Sequence, residues 1–579
     1  MPSPNILFVV PLNEAYERIV SAAKTPWKSK QGTGGKIAKV DCVYPSGVLS
    51  ISAYLKKHVP EANIKILDLN AVINHLAKTT IDDFGDLSFE QFLEASCAFL
   101  GDFRPDFIGI SALFVNVYKD LKPLAAFLKT RYPEALLTCG GHVPSALYRR
   151  IFDDGIAVDA IAFGEGEIPC VDLVRAMADA RNVNLGGGRK MGRADGATAC
   201  LESHPSWITR NKLQRELLFE PENKLLMDLD EIPVYDLDVL VFPDVYFMSS
   251  DYLFTFNPPA DSKEIILFTT RGCPYHCVFC ASHGVHGYRV RYYSLERMQN
   301  DIDYYHQRYG ITRFVFFDDN FFIDKSRAVA ILDHVAMKGL TADNVTPAFF
   351  FIDRDVVAAM KRVGVTNVCL TIESGNEHTL KKIMRKPSNL AQARRAIDIL
   401  HELGIIVVSN ILIGVPGETK ESIEFGLENL KKMNANWFMC FAAAPLPGSE
   451  LYQICEDNDY FVTDDDPITT MDFKRCVIRT PDFDPEYIER KCYEMNLVLN
   501  FTNNYDFRTG NYQGALSLFE RVLHAWKEHA FAHYFAARCC WKLGLTEKYA
   551  TYKAAYEDSI AKYPFWADYA KQHQLSPLD

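Results

Sequence analysis

Twice along this chain short apolar runs alternate with amphipathic stretches, and that alternation limits the fold more than any other feature. From residue 5 to about 180 the runs NILFVV, NIKILDLN, DFIGIS, ALLTCGG and DAIAFGEGE are separated by stretches of helical periodicity such as SGVLSISAYLKKH and VYKDLKPLAAFLKTRY. Five strands joined by helical crossovers predict a parallel sheet, and so an α/β, Rossmann-like domain over residues 1–182. In open sheets of this kind ligands sit outside the carboxyl ends of the strands, which here read IGISALF, TCGGH and FGEGE. The second alternation opens at Ile265 with IILFTTRG and continues through RFVFFDDN, TPAFFF, NVCLTIESG, IIVVSNILIG and WFMCFAAAPLPG. A full eight-unit barrel needs about 250 residues, so six units within 261–455 predict a partial (β/α)6 barrel of TIM type with its chemistry at the strand ends. Residues 183–260, with the Gly-rich NVNLGGGRKMGRADGATA at their start, read as a linker, and 456–579 as an α-helical C-terminal domain. Within the last, GNYQGALSLFERVLHAWKEHAFAHYFAARCCWKLG has the spacing of one tetratricopeptide-like hairpin, which alone is a packing appendage rather than a binding array. Its aromatics Tyr512, Phe519, Trp526, Phe531, Tyr534 and Trp541 could cover an active site, although aromatics at helical spacing are usually core.

Charge and cysteine usage remove several function classes. The chain carries 62 Lys and Arg against 74 Asp and Glu, a net charge of -12, which offers no basic surface to a nucleic-acid backbone. Its longest apolar stretch, residues 405–416, is broken by Ser409 and Asn410 and falls short of the roughly 20 residues that span a bilayer. The amino-terminal run has no basic flank, so a cytoplasmic location is expected. Fifteen cysteines in such a chain are expected to be core residues or ligands rather than a disulfide framework.

The most specific signal is RGCPYHCVFC, which places Cys273, Cys277 and Cys280 in C-x3-C-x2-C spacing directly after an apolar strand. Three thiolates on one loop can hold three irons of a cubane and leave the fourth open to a chelating ligand. Zinc sites favour paired C-x2-C units with four ligands, and no second pair follows. The motif, with Phe279 before its last cysteine, resembles that of the radical S-adenosylmethionine superfamily. The resemblance runs to about residue 455 and implies a 4Fe-4S cluster whose open iron binds S-adenosylmethionine, source of a 5′-deoxyadenosyl radical. It implies that Asp318, Asp319 and Asn320 bind the ammonium of the methionyl part, although Asp and Asn equally suit a helix N-cap. It also implies that Glu373 and Ser374 meet the ribose and that Ile413 and Gly414 meet the adenine, where a plain turn is the other reading.

The first domain carries a second constellation, Ser111-x-Leu113 followed after 26 residues by Gly140-Gly141. At that interval the pair resembles cobalamin-binding domains, in which these residues lie beside the dimethylbenzimidazole tail. The D-x-H-x-x-G motif that supplies a lower cobalt ligand has its nearest counterpart in Asp68-Leu-Asn70-Ala-Val-Ile73, with Asn for His and Ile for Gly. The resemblance therefore implies a His-off cobalamin. His142 reads as a hydrogen-bonding or buried histidine beside the tail. Gly164-Glu165-Gly166-Glu167 reads either as a contact from Glu165 to a corrin amide or as a loop whose acids favour a helix start.

Together these features resemble the cobalamin-dependent radical S-adenosylmethionine enzymes. The expected reaction is methylation of an unactivated carbon or phosphorus centre through methylcobalamin and a deoxyadenosyl radical. Cyclisation or ring rearrangement without methyl transfer is the alternative, and a cobalamin-binding sensor or scaffold with a structural cluster is the second. The expected partners are a small-molecule substrate and an external electron donor such as flavodoxin or ferredoxin, with no nucleic acid.

Overall fold

A computed structural model describes residues 3–24, 40, 42–78, 87–179, 193–215, 219–247, 262–343, 348–462, 466–471 and 475–578. Most of the Gly-rich connector, residues 182–192, lies outside them. The chain divides into two compact units, Met1–Thr346 with Arg362–Gly364 and Ala444–Asp472, and Pro347–Lys361 with Val365–Ala443 and Phe473–Asp579.

In the first unit all five expected strands form: β1 (Asn5–Val10), β2 (Asn63–Asp68), β3 (Phe107–Ser111), β4 (Leu136–Gly140) and β5 (Ala160–Ala162). They pair in parallel in the order β2-β1-β3-β4-β5. Ile6, Leu7, Phe8 and Val9 of β1 are all buried, as the continuous apolar run of a strand covered on both faces requires. A sixth strand, β6 (Trp207–Ile208), pairs antiparallel with β5. Two residues carry no periodicity, so β6 leaves no trace in the sequence.

The same unit holds β7 (Glu264–Leu267), β8 (Thr270–Arg271), β9 (Arg291–Tyr292), β10 (Arg313–Phe316) and β11 (Thr341–Asp343). β7, β10 and β11 form a parallel sheet, and β8 and β9 an antiparallel ribbon. Helix Leu295–Tyr309 carries the chain from β9 to β10. Ser294 caps its start by accepting a hydrogen bond from the Arg297 amide, and Gly310 closes its end in the left-handed conformation. The third strand departs from expectation. It is β11, whereas Phe349–Phe351 of the expected TPAFFF strand form a single 3-10 turn. A continuous apolar run suits a buried strand and a buried turn equally.

In the second unit β12 (Asn367–Glu373), β13 (Ile406–Ile413) and β14 (Trp437–Ala442) form a parallel sheet. The helical region is welded to β14: the fully buried Asn500 side chain accepts from the Phe438 amide and donates to the Phe438 carbonyl, at 2.7 and 2.8 Å. Helices Tyr512–Ala525 and Ala530–Leu543 pack on each other. Phe519, Phe531 and Tyr534 are core, Tyr512 packs against that core, and Trp526 and Trp541 are exposed. No helix among the described residues is long and apolar enough to cross a membrane.

Candidate active site

Chain geometry at the end of β8 prepares the cysteine loop. Gly272 has φ +86°, and a Cβ there would lie 2.5 Å from the Arg289 carbonyl oxygen, so the strand can turn into the loop only at glycine. The Cys280 amide donates to the Cys277 carbonyl, which closes a tight turn between the last two cysteines. All three cysteines are partly exposed. Burial pushes the Cys280 thiol up to about 12, so metal binding there must displace a proton. Among the described residues no three Cys, His, Asp or Glu side chains are drawn around a single ion. A cubane holds its thiolates on three different irons and asks for no such convergence.

At the end of β10, Asp318 is buried and its Oδ1 accepts from the Thr269 and Thr270 amides and from Thr270 Oγ1. Its Oδ2 is buried without a hydrogen-bond partner, as is Oδ1 of Asn320. Burial pushes the Asp318 carboxyl up to about 6 against those hydrogen bonds. Asp319 is exposed and accepts from Ser282 Oγ at 2.9 Å. None of the three caps a helix by its side chain; Asp324 caps Lys325–Met337. Two buried acceptors left open at one strand end are what a polar ligand would satisfy.

In the second unit Glu373 ends β12 in the left-handed conformation, φ +69°, which costs a non-glycine residue of order 1–3 kcal/mol and marks a position held by its surroundings. Its carboxylate accepts from Lys386 Nζ at 2.8 Å, both side chains being largely buried. The Ser374 hydroxyl accepts from the Asn376 amide. Ile413 is buried at the end of β13. Gly414 has φ +87°, and its amide and that of Val415 donate to Glu418 Oε2 at 2.8 and 3.0 Å. The turn expected here is thus real, and it is built around a carboxyl that burial pushes up to about 7. Sequence reasoning missed Lys386 and Glu418. It noted Ser409 and Asn410 only as interruptions of an apolar run, and both carry a buried oxygen without a partner.

The cobalamin-type constellation is brought together by strand register. Ser111 of β3 lies opposite Gly140 of β4, and the Val143 amide donates to the Ala112 carbonyl. Leu113 is 52% exposed and Phe114 38%. Both glycines serve the chain's own packing. A Cβ on Gly141, φ +104°, would lie 2.7 Å from the Ala112 oxygen, and one on Gly140 3.3 Å from the Ala162 methyl. Asn70 is buried, accepting from the Asn13 amide and donating to the Pro11 carbonyl and Asp68, while Asp68 also accepts from Tyr246. The position where a ligating histidine would stand is closed by this network, and Ile73 is fully buried.

Two family comparisons fit these two constellations. Residues 267–428 match the Radical SAM superfamily, and residues 38–174 match the B12 binding domain. This chain is a cobalamin-dependent radical S-adenosylmethionine enzyme. Over 435 residues it is 27% identical to an uncharacterised methyltransferase of Pyrococcus horikoshii, covering 74% of this chain and 85% of the relative. Over 479 residues it is 26% identical to the cytidylyl-2-hydroxyethylphosphonate methyltransferase of Streptomyces wedmorensis, covering 79% and 86%. The fold is similar to that of the cobalamin-dependent radical enzyme OxsB, with TM-score 0.58, 14% identity, and coverage of 100% of this chain and 76% of OxsB.

The donor set fits the cofactors of such an enzyme. Three loop thiolates would leave one iron of a 4Fe-4S cluster open to S-adenosylmethionine, and the adjacent ends of β3 and β4 would offer cobalamin an exposed apolar residue and a bare glycine turn. Two expected contacts have other surroundings. His142 is half-buried, with Nε2 buried and unpartnered and its ring hydrogen-bonded to the Pro447 backbone, and burial lowers its pKa. Glu165 is not open to a corrin amide. It is buried, and both carboxylate oxygens are taken by Arg291, at 2.6 and 2.8 Å, with His286 Nδ1 on Oε1 at 2.8 Å and the Leu226 amide on Oε2. Burial alone would raise this carboxyl, but the charge of Arg271 and the bonds from Arg291 and His286 hold it well below the usual carboxylate range.

Proposed function

We propose that this enzyme transfers a methyl group to an unactivated carbon or phosphorus centre of a small molecule. The observation that carries the reading is the presence within one compact unit of the C-x3-C-x2-C loop and of the Ser111 and Gly140 strand ends. The relatives named as methyltransferases favour methyl transfer over other outcomes of that pairing. When bound, the cluster and S-adenosylmethionine supply a carbon radical, and cobalamin supplies the methyl group.

In this reading Cys273, Cys277 and Cys280 hold the cluster. Asp318 Oδ2 and Asn320 Oδ1, the open acceptors, take the ammonium of S-adenosylmethionine, with Asp319 beside them. Glu373 and Ser374 meet the ribose, and Ile413 and Gly414 the adenine. Ser111, Leu113, Gly140 and Gly141 line the cobalamin tail, with His142 beside it. No imidazole reaches cobalt from position 70, because Asn70 is committed to its own network. Electrons come from an external one-electron donor of the flavodoxin or ferredoxin kind.

The deciding experiment is product analysis with reduced, reconstituted protein and candidate substrates. Equal S-adenosylhomocysteine and 5′-deoxyadenosine with a product heavier by one methyl group is the expected result. Deoxyadenosine with a product lacking the methyl group would replace this reading by cyclisation or rearrangement. No cleavage of S-adenosylmethionine at all would leave a sensor or scaffold.

A further inference from the structure

The residues flanking the cysteine loop are gripped from both sides by the loop that follows β5. Before it, Arg271 stands two positions ahead of Cys273; its guanidinium donates to Glu167 Oε1 at 2.8 Å and Ser50 Oγ at 2.7 Å and lies 3.4 Å from Glu165 Oε1. After it, His286 and Arg291 converge on the same Glu165 carboxylate. A third strut is neutral. The Glu165 amide donates to Asn223 Oδ1, and Asn223 Nδ2 donates to the Val285 carbonyl, at 3.1 and 2.7 Å. Gly164 has no room for a side chain, since a Cβ would lie 2.1 Å from Asn223. Glu165, Glu167, Arg271 and Arg291 are all buried. Burying four charges is expensive and seldom adds net stability, so such a network is better explained by the geometry it fixes.

We propose that Arg271 is a positioning residue which, with Glu165 and Glu167, fixes the cluster loop in register with the strand ends that receive cobalamin. The Arg291–Glu165 pair is bidentate and the Arg271–Glu167 bond is charge-assisted, which restricts direction as well as distance. Radical capture tolerates little misplacement, and a shift of about 1 Å can cost roughly a hundredfold in rate. Glu165 and Glu167 therefore act through arginine on the placement of the cluster, not on the corrin directly. The inference rests on the reading that this unit holds both cofactors.

The test uses the full-length protein loaded with cobalamin and a reconstituted cluster, reduced so that Co(II) and the cluster are both paramagnetic. The magnetic dipolar interaction between them, read by pulsed electron paramagnetic resonance, reports their separation and its spread. Wild type is expected to show one sharp separation. Arg271→Met should keep its iron and cobalamin content yet lose that sharpness, Arg271→Lys should recover it in part, and Glu167→Gln should lie between. A merely structural role would lower thermal stability and leave the separation unchanged. That result in Arg271→Met overturns the proposal. Should Arg271→Met not fold, Glu167→Gln and Asn223→Ala each remove one strut, and an unchanged separation in both overturns it equally. Wild-type protein that binds no cobalamin or no cluster would instead defeat the functional reading.

Discussion

The strand ends of β3 and β4 are built in the opposite way from those of β10 in the same unit and of β12 and β13 in the other. At the first, the chain leaves Leu113 and Phe114 in solvent and keeps charge away, with backbone turns at Gly140 and Gly141. The latter bury polar groups, Asp318 and Asn320 in the first unit and Glu373, Ser374 and Glu418 in the second, all at most 9% exposed. The first surface is stable empty, because an exposed leucine costs little. The second holds unsatisfied acceptors, each of which costs about 1–3 kcal/mol until something donates to it. A bulky, largely apolar cofactor tail calls for a preformed surface. The charged methionyl part of S-adenosylmethionine, with its ammonium, carboxylate and sulfonium, calls for oriented polar groups.

That contrast can be broken or sharpened by mutation. The largest effect belongs to Cys277→Ala, which should abolish the cluster spectrum and all deoxyadenosine while cobalamin binding, followed by its visible absorption, persists. Loss of both cofactors together would show that the two surfaces are not independent. Glu165→Ala comes next. Removing one partner from a buried ion network should destabilise the protein by about 3–5 kcal/mol, read by denaturant unfolding, because Arg291 is left buried and uncompensated.

Glu418→Gln tests the buried side in a pH-dependent way. The carboxyl is raised to about 7 by burial, opposed only by two backbone amides. The folded state therefore holds a proton that the unfolded chain gives up at the ordinary carboxylate value. Stability is complete below that value and falls as pH rises towards about 7, by about 3 kcal/mol in all. The melting temperatures of wild type and Glu418→Gln should coincide near pH 5 and diverge above pH 7 in favour of the variant. A difference that does not change with pH would contradict the burial argument. The smallest effect is expected at the exposed surface. Leu113→Ala should weaken cobalamin binding roughly tenfold, worth ~1–2 kcal/mol, with unfolding unchanged. It is a cleaner probe than valine at Gly140 or Gly141, where the added side chain would strike Ala162 or Ala112 before any ligand.

The parallel strands of the first domain and the cysteine loop were legible in the sequence because each rests on local chemistry. Hydrophobic runs of four to eight residues report strands directly, and three thiols at fixed spacing report a ligand loop. Reading failed where the local signal was degenerate. Phe349–Phe351 could be strand or turn, and β6 was too short to register. The site residues divide in the same way. Asp318 and Glu373 stand at strand ends that periodicity locates, whereas Lys386 is thirteen positions beyond Glu373, and only the fold returns it to within 2.8 Å.

The sequence by itself determined that this protein carries two α/β alternations, a C-x3-C-x2-C motif, a Ser-x-Leu and Gly-Gly pair at strand ends and no histidine at position 70, because these depend on residue identity and short spacing. Tertiary structure alone decided what the GEGE acids do. Glu165 meets Arg271 and Arg291 across more than 100 residues of chain. It also decided which carboxyls are charged. Glu165 is held ionised by arginines, whereas burial outweighs the charge of Arg327 at Asp318 and is opposed only by backbone amides at Glu418. Burial and the distance to a guanidinium set that difference, and both are properties of the folded chain.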